Sequence, residues 1–98
     1  MSEIREFQIE VTDEVLDDLK QRLSMTRWPN KETPEDWSQG IPLAYMKELC
    51  DYWQHEYDWR VREERLNQLP QFITEIDGVD IHFIHFPSAH ENARPLII

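Results

Sequence analysis

Glycine is nearly missing from this chain, with only Gly40 and Gly78 among 98 residues. Two isolated glycines cannot build the backbone cradle that a phosphate group needs, which excludes a glycine-rich nucleotide loop. Cysteine is reduced to Cys50, so no internal disulfide can form, a usage that suits a reducing compartment. Positive charge is also short: Lys and Arg number 10 against 20 Asp and Glu, for a formal net charge of −10. A surface of that sign repels phosphate backbones and anionic lipid, which argues against nucleic acid or a membrane surface as partner. A solvated acidic exterior that maintains solubility is a simpler reading than recognition of a basic partner. Residues 1–10 are polar and hold no apolar h-region, and no stretch reads as a membrane span. The expectation from these absences is a soluble, cytoplasmic protein.

What is present is globular in kind. The hydrophobic fraction is 40% and the aromatic fraction 11%, values that argue against wholesale disorder. The length is that of one small domain or part of a larger one, with a thin core. Phe7, Ile9 and Val11 alternate with polar residues and read as a short extended lead-in. Thr12 is placed to cap a helix whose first turn carries Asp13 and Glu14, favourable at the positive end of the helix dipole. Leu16, Leu19 and Leu23 then fall on one face, with Lys20 and Arg22 near the other end. From residue 25 to 40 the period breaks at Pro29, Pro34 and Gly40, and Trp28 and Trp37 are expected to pin this loop against a core.

Pro42 suits the first turn of a second helix, with an apolar stripe of Leu43, Met46, Leu49 or Cys50, Trp53 and Tyr57. Asp58 is placed to cap a third, carrying Trp59, Leu66 and Leu69 on one side and the pair Arg60 and Glu64 on the exposed side. Such a pair contributes only ~0.3–0.5 kcal/mol. Pro70 is expected to end it. Beyond, the period becomes alternating: residues 72–76, the Asp77-Gly78 turn and residues 79–86 read as a β-hairpin. After a polar loop over 87–94, Pro95-Leu96-Ile97-Ile98 reads as the start of a strand buried on both faces. A chain that stops inside such a strand is expected to be truncated, because its edge groups would lack partners.

The residues that could carry chemistry favour plain structural readings. His82 and His85 lie three apart on a strand, so their side chains point to opposite faces and cannot share one metal. His55 and His90 have no ligand spacing that joins them to the others. Carboxylates gather in residues 58–65, but Arg60, Arg62 and Arg65 interleave with Glu63 and Glu64, a pattern of neutralised surface pairs rather than of an acid/base couple. A structural Arg60 anchoring a neighbouring loop is also compatible with the pattern. No Gly-x-Ser-x-Gly elbow exists for a hydrolytic serine. Cys50 sits on the apolar stripe, where a thiol acts as a small core group. The expectation is that these residues hold no catalytic, cofactor or metal site.

Several segments, in order, carry a family resemblance. They are Phe7-Gln8-Ile9, Leu19 with Arg22-Leu23, Thr26-Arg27-Trp28-Pro29, and Asp36-Trp37 followed by Gly40. Next come Leu49, Tyr52-Trp53, Tyr57-Asp58-Trp59-Arg60, Glu63 and Leu66-Asn67. Last come Phe72, Ile76-Asp77-Gly78, Ile81-His82-Phe83-Ile84-His85 and Pro95-Leu96-Ile97-Ile98. Each is weak alone. Together they resemble the N-terminal domain of epoxide hydrolases of the microsomal type, within the α/β-hydrolase superfamily.

The resemblance implies an α+β chain: a helical N-terminal meander over residues 1–70, then over 71–98 a β-hairpin and an incoming strand, the first strands of an α/β-hydrolase fold. It implies a parent enzyme that opens epoxides by attack of an Asp carboxylate, then hydrolyses the ester with a His-activated water. Two Tyr hydroxyls of a cap domain and a His-Gly-Trp-Pro turn after the Ile98 strand would assist. None of those residues lies in this chain, so no catalytic role transfers to it. The implied partners are the remainder of the hydrolase chain and, for the complete enzyme, a small apolar epoxide; no cofactor is implied, and a homodimer is admitted. Membrane-bound relatives carry an apolar anchor ahead of this domain, so the chain is similar to the soluble members, with a role in xenobiotic or aromatic-compound catabolism. The rival reading is a free-standing interaction or assembly domain without catalysis. In either reading Trp28, Trp37, Trp53 and Trp59 exceed what a thin core needs, which makes part of this aromatic set a candidate interface.

Overall fold

The computed structural model describes residues 3–98. The elements run β1 (Ile4–Glu6), α1 (Asp13–Ser24), α2 (Leu43–His55), α3 (Trp59–Leu66), β2 (Gln71–Ile76) and β3 (Val79–Ile84). The three strands form one antiparallel sheet in the order β1-β2-β3. By contacts the chain divides into two compact units, one of the stretch through Glu10 with Arg60–Ile98, the other of Val11–Trp59.

In the first unit, the turn chemistry sets the register. Asp77 and Gly78 both take positive φ, 52° and 80°. That pair is what a two-residue type I′ turn needs to match the twist of its strands. It closes on Ile76 opposite Val79, and the ladder continues to Gln71 opposite Ile84. Strand alternation then places Phe72, Thr74 and Ile76 on one face with Val79, Ile81 and Phe83, and the Phe72 and Phe83 rings lie 5.7 Å apart.

The edge strand β1 departs from the expected lead-in. Ile4, Arg5 and Glu6 pair with Thr74, Ile73 and Phe72, whereas the alternating stretch from Phe7 onward is extended without forming a ladder. With one apolar residue, β1 carries no alternation to read. Backbone pairing and the Thr74 hydroxyl, which donates to the Glu3 carbonyl at 3.1 Å, hold it. Arg5 reaches over the other face to Asp80 at 3.1 Å, an exposed pair worth little.

The helix α3 ends at Leu66, earlier than Pro70 alone implies, because its last turn tightens, the Gln68 and Leu69 N–H groups donating to the Arg65 and Leu66 carbonyls. The Asn67 amide accepts from the Ile9 N–H and donates to the Ile9 carbonyl, both at 2.8 Å, so one side chain imitates a strand partner for the extended lead-in. The beginning of α3 follows Asp58 as expected. Arg60, however, pairs with Glu63 at 2.8 Å, one position short of the expected Glu64, and the Glu63 side chain retains only 12% exposure.

In the second unit, Thr12 caps α1 as its chemistry suggests, its hydroxyl accepting from the Val15 N–H at 3.3 Å. Arg22 closes onto Asp18 at 2.8 Å one turn back. The helices α1 and α2 pack together, with Leu16, Leu19 and Leu23 of α1 and Leu43, Met46 and Cys50 of α2 half-buried. The intervening loop is fixed mainly by polar contacts rather than by its tryptophans. Glu32 accepts from the Leu43 N–H at 3.0 Å, supplying the cap that Pro42 cannot. Trp37 meets Tyr45 edge-on at 5.1 Å yet remains 58% exposed.

The expected strand over residues 95–98 is not formed. These residues have no assigned secondary structure and Ile97 is 95% exposed. A strand apolar on both faces needs ladder partners and covering layers, and no described residue supplies them.

Candidate functional site

The one buried residue among those described is polar: Gln71, 5% exposed. Its Nε2 donates to the Leu66 carbonyl at 2.7 Å, which turns its Oε1 toward His82 Nε2 at 2.9 Å. A carbonyl oxygen can only accept, so His82 carries its proton on Nε2. Phe7 packs on the same imidazole with centroids 4.8 Å apart, and the Phe7 N–H donates to the Gln71 carbonyl at 2.9 Å. The cluster joins the end of α3, the lead-in and β3. The sequence offered no signal for Gln71, a lone amide between Pro70 and an alternating run.

The remaining histidines are scattered. His55 Nδ1 sits 3.1 Å from a carboxylate oxygen of Asp51 on the same helix. His85 continues from β3, its N–H donating to the Pro70 carbonyl at 3.1 Å. The His90 N–H donates to the Ser88 hydroxyl at 3.1 Å. Among the described residues no three His, Cys, Asp or Glu side chains are grouped to hold a metal. Cys50 is half-buried on the α2 face that meets α1.

Two carboxylates are perturbed, both in the loop before α2. Glu32 is held below the usual carboxylate range chiefly by the Leu43 N–H that it accepts. Asp36 is lowered by the Ser38 side chain first and then by the Ser38 N–H, the latter at 3.0 Å. Both effects favour the ionised form, as hydrogen bonding to a carboxylate does. These are capping and turn carboxylates, not acids kept protonated for catalysis. A hollow on α1 is lined by Glu14, Val15, Asp17, Asp18 and Gln21, which are all exposed residues of a single helix.

What stands out instead is uncovered apolar surface. None of the described hydrophobic residues is fully buried, and the accessible area is 9169 Å². A folded monomer of 11.9 kDa is expected to expose only about 6,000 Å², and two separate globules of half that mass about 7,200 Å² together. The excess is the size of a protein interface rather than of scattered surface residues.

Comparison with known proteins shows the family. The family described as epoxide hydrolase N terminus matches residues 4–98. The chain belongs to that family. A putative epoxide hydrolase of Stigmatella aurantiaca is 52% identical over 95 residues, 97% of this chain but 22% of the relative. Epoxide hydrolase 1 of Oryctolagus cuniculus is 42% identical over 82 residues, 84% of the chain and 18% of the relative. Among solved structures, Aspergillus niger epoxide hydrolase superposes with a TM-score of 0.84 at 35% identity, over 93% of the chain and 24% of that structure. The juvenile hormone epoxide hydrolase of Bombyx mori gives 0.79 at 29% identity, over 93% and 24%. The epoxide hydrolase N terminus seen here thus spans about a fifth to a quarter of the proteins that it matches. Its helices and antiparallel strands correspond to the N-terminal segment of α/β-hydrolase epoxide hydrolases. None of the helices is long and apolar enough to cross a membrane, among the described residues.

Proposed function

We propose that this chain serves as the N-terminal structural segment of an epoxide hydrolase and is itself catalytically inert. In this reading the meander of residues 1–70 and the strands of 71–98 pack on an α/β-hydrolase body and support it. The complete enzyme hydrolyses small apolar epoxides to vicinal diols through an ester on an Asp carboxylate. The observation that carries the reading is the excess of accessible area, with no described hydrophobic residue buried, on a chain that matches over nearly its whole length one part of much longer hydrolases. The few titratable clusters support the inert role, since each has a local structural partner and none couples a base to a nucleophile.

The test is a pair of proteins. The isolated chain, incubated with styrene oxide, is expected to form no diol above the buffer rate. A chimera in which it replaces the matched 95 residues of the Stigmatella aurantiaca relative is expected to form diol at a rate within about tenfold of that relative, since supporting residues act indirectly on the barrier. Turnover by the isolated chain would refute the inert role, and a folded but inactive chimera would refute the supporting one.

A further inference from the structure

The apolar residues of α2 do not form the single stripe that their spacing suggests. Leu43, Met46 and Cys50 are half-buried on the side of the helix that meets α1. Tyr45, Leu49, Tyr52 and Trp53 project about a third of a turn away, at i, i+4, i+7 and i+8. Trp37 stacks edge-on against Tyr45 at 5.1 Å, so loop and helix contribute to one patch, and exposed Ile41 stands two residues before the first residue of α2. These six side chains are between 44% and 58% exposed. At ~200 Å² for a large side chain, the patch presents roughly 600 Å². That is the upper end of what monomers leave uncovered and most of one side of a standard interface.

Resting on the functional reading above, we propose that this second stripe of α2, with Trp37 and Ile41, is the face by which the segment docks on the hydrolase body. Two features select that occupant over a second copy of this chain. The relatives supply three-quarters or more of their length beyond the matched segment, a body large enough to cover the patch. The edge of the stripe carries Glu48, and Glu56 follows the end of the helix, on a chain of net charge −10, so self-docking would oppose like charges. The partner surface is therefore apolar at its centre and cationic at its rim.

Hydroxyl-radical footprinting of the isolated chain and of the chimera tests the assignment. Labelling of Tyr45, Leu49, Tyr52 and Trp53 is expected to fall roughly fivefold or more in the chimera as half-exposed side chains become core-like, whereas exposed Val15 on α1 stays labelled. The pair L49Q and W53Q should leave the helix content of the isolated chain unchanged and lower diol formation by the chimera about tenfold or more, with V15Q as the neutral control. A chimera that turns over epoxide while the stripe remains fully labelled overturns the docking face and leaves the functional reading standing. Loss of helix in the isolated L49Q/W53Q chain, or protection of the stripe in a self-associated isolated chain, also overturns it. A folded chimera that forms no diol while the stripe is protected counts against the functional reading and leaves the docking face standing.

Discussion

The two units hold themselves together by different means. In the strand unit, polar groups with defined directions do the positioning: the Gln71 amide between Leu66 and His82, the Asn67 amide on Ile9, and the positive-φ turn at Asp77-Gly78. In the helical unit, side chains of α1 and α2 share a half-buried apolar seam, trimmed by two caps, Thr12 and Glu32. Directional contacts tolerate a thin core because each is satisfied locally. An apolar seam gains strength only with the area that covers it. The difference teaches that the helical unit depends on covered area for its own seam, whereas the strand unit is positioned by polar contacts while Ile76, Val79 and Ile81 stay exposed.

Substitutions can break this contrast in order of size. Gln71→Ala should destabilise most, by about 2 kcal/mol, because it removes the Oε1 partner of His82 and leaves the Leu66 carbonyl only the Leu69 N–H; urea unfolding followed by circular dichroism measures it. Gly78→Ala should cost about 1–2 kcal/mol, the penalty of an L-residue in a left-handed conformation, read in the same assay; nothing crowds an added Cβ at that position, so strain alone accounts for it. Thr12→Ala should cost about 1 kcal/mol through loss of the α1 cap. Equal losses for the Gln71 and Thr12 variants would erase the contrast.

The smallest effect is a pH dependence at Glu32. Its folded pKa lies below the usual value of 4.5, so the folded state binds fewer protons there than the unfolded state. Its stabilising contribution is complete above that usual value and is lost as pH falls through the lowered one. The Leu43 amide resonance should shift in that acid window, and Glu32→Gln should abolish the shift.

Much of the fold was legible because local chemistry and period agreed. Thr12 with Leu16, Leu19 and Leu23 marked α1, and Asp77-Gly78 between alternating runs marked the hairpin. What escaped reading depended on residues distant in sequence. The strand β1 exists because Thr74 and its neighbours lie beside it, Glu32 acts eleven residues away on Leu43, and Gln71 matters only once α3 and β3 converge on it. The α2 stripe was read as one because spacing alone cannot tell which apolar residues a neighbour will cover. The tail at 95–98 was read as a strand from composition, which states what surroundings a segment needs but not whether they are present. The family was legible from ordered motifs.

The pairing of Ile4 with Thr74 also imposes a timetable. A ribosome adds the intervening residues in roughly 4–14 s at 5–20 residues per second, while the β2-β3 hairpin closes within microseconds of its own completion. The first strand of the sheet is thus the first made and must wait for β2 before it can pair. Through that interval it has a single apolar side chain, Ile4, set among Glu3, Arg5 and Glu6, which leaves it little capacity to stick to anything else while it waits.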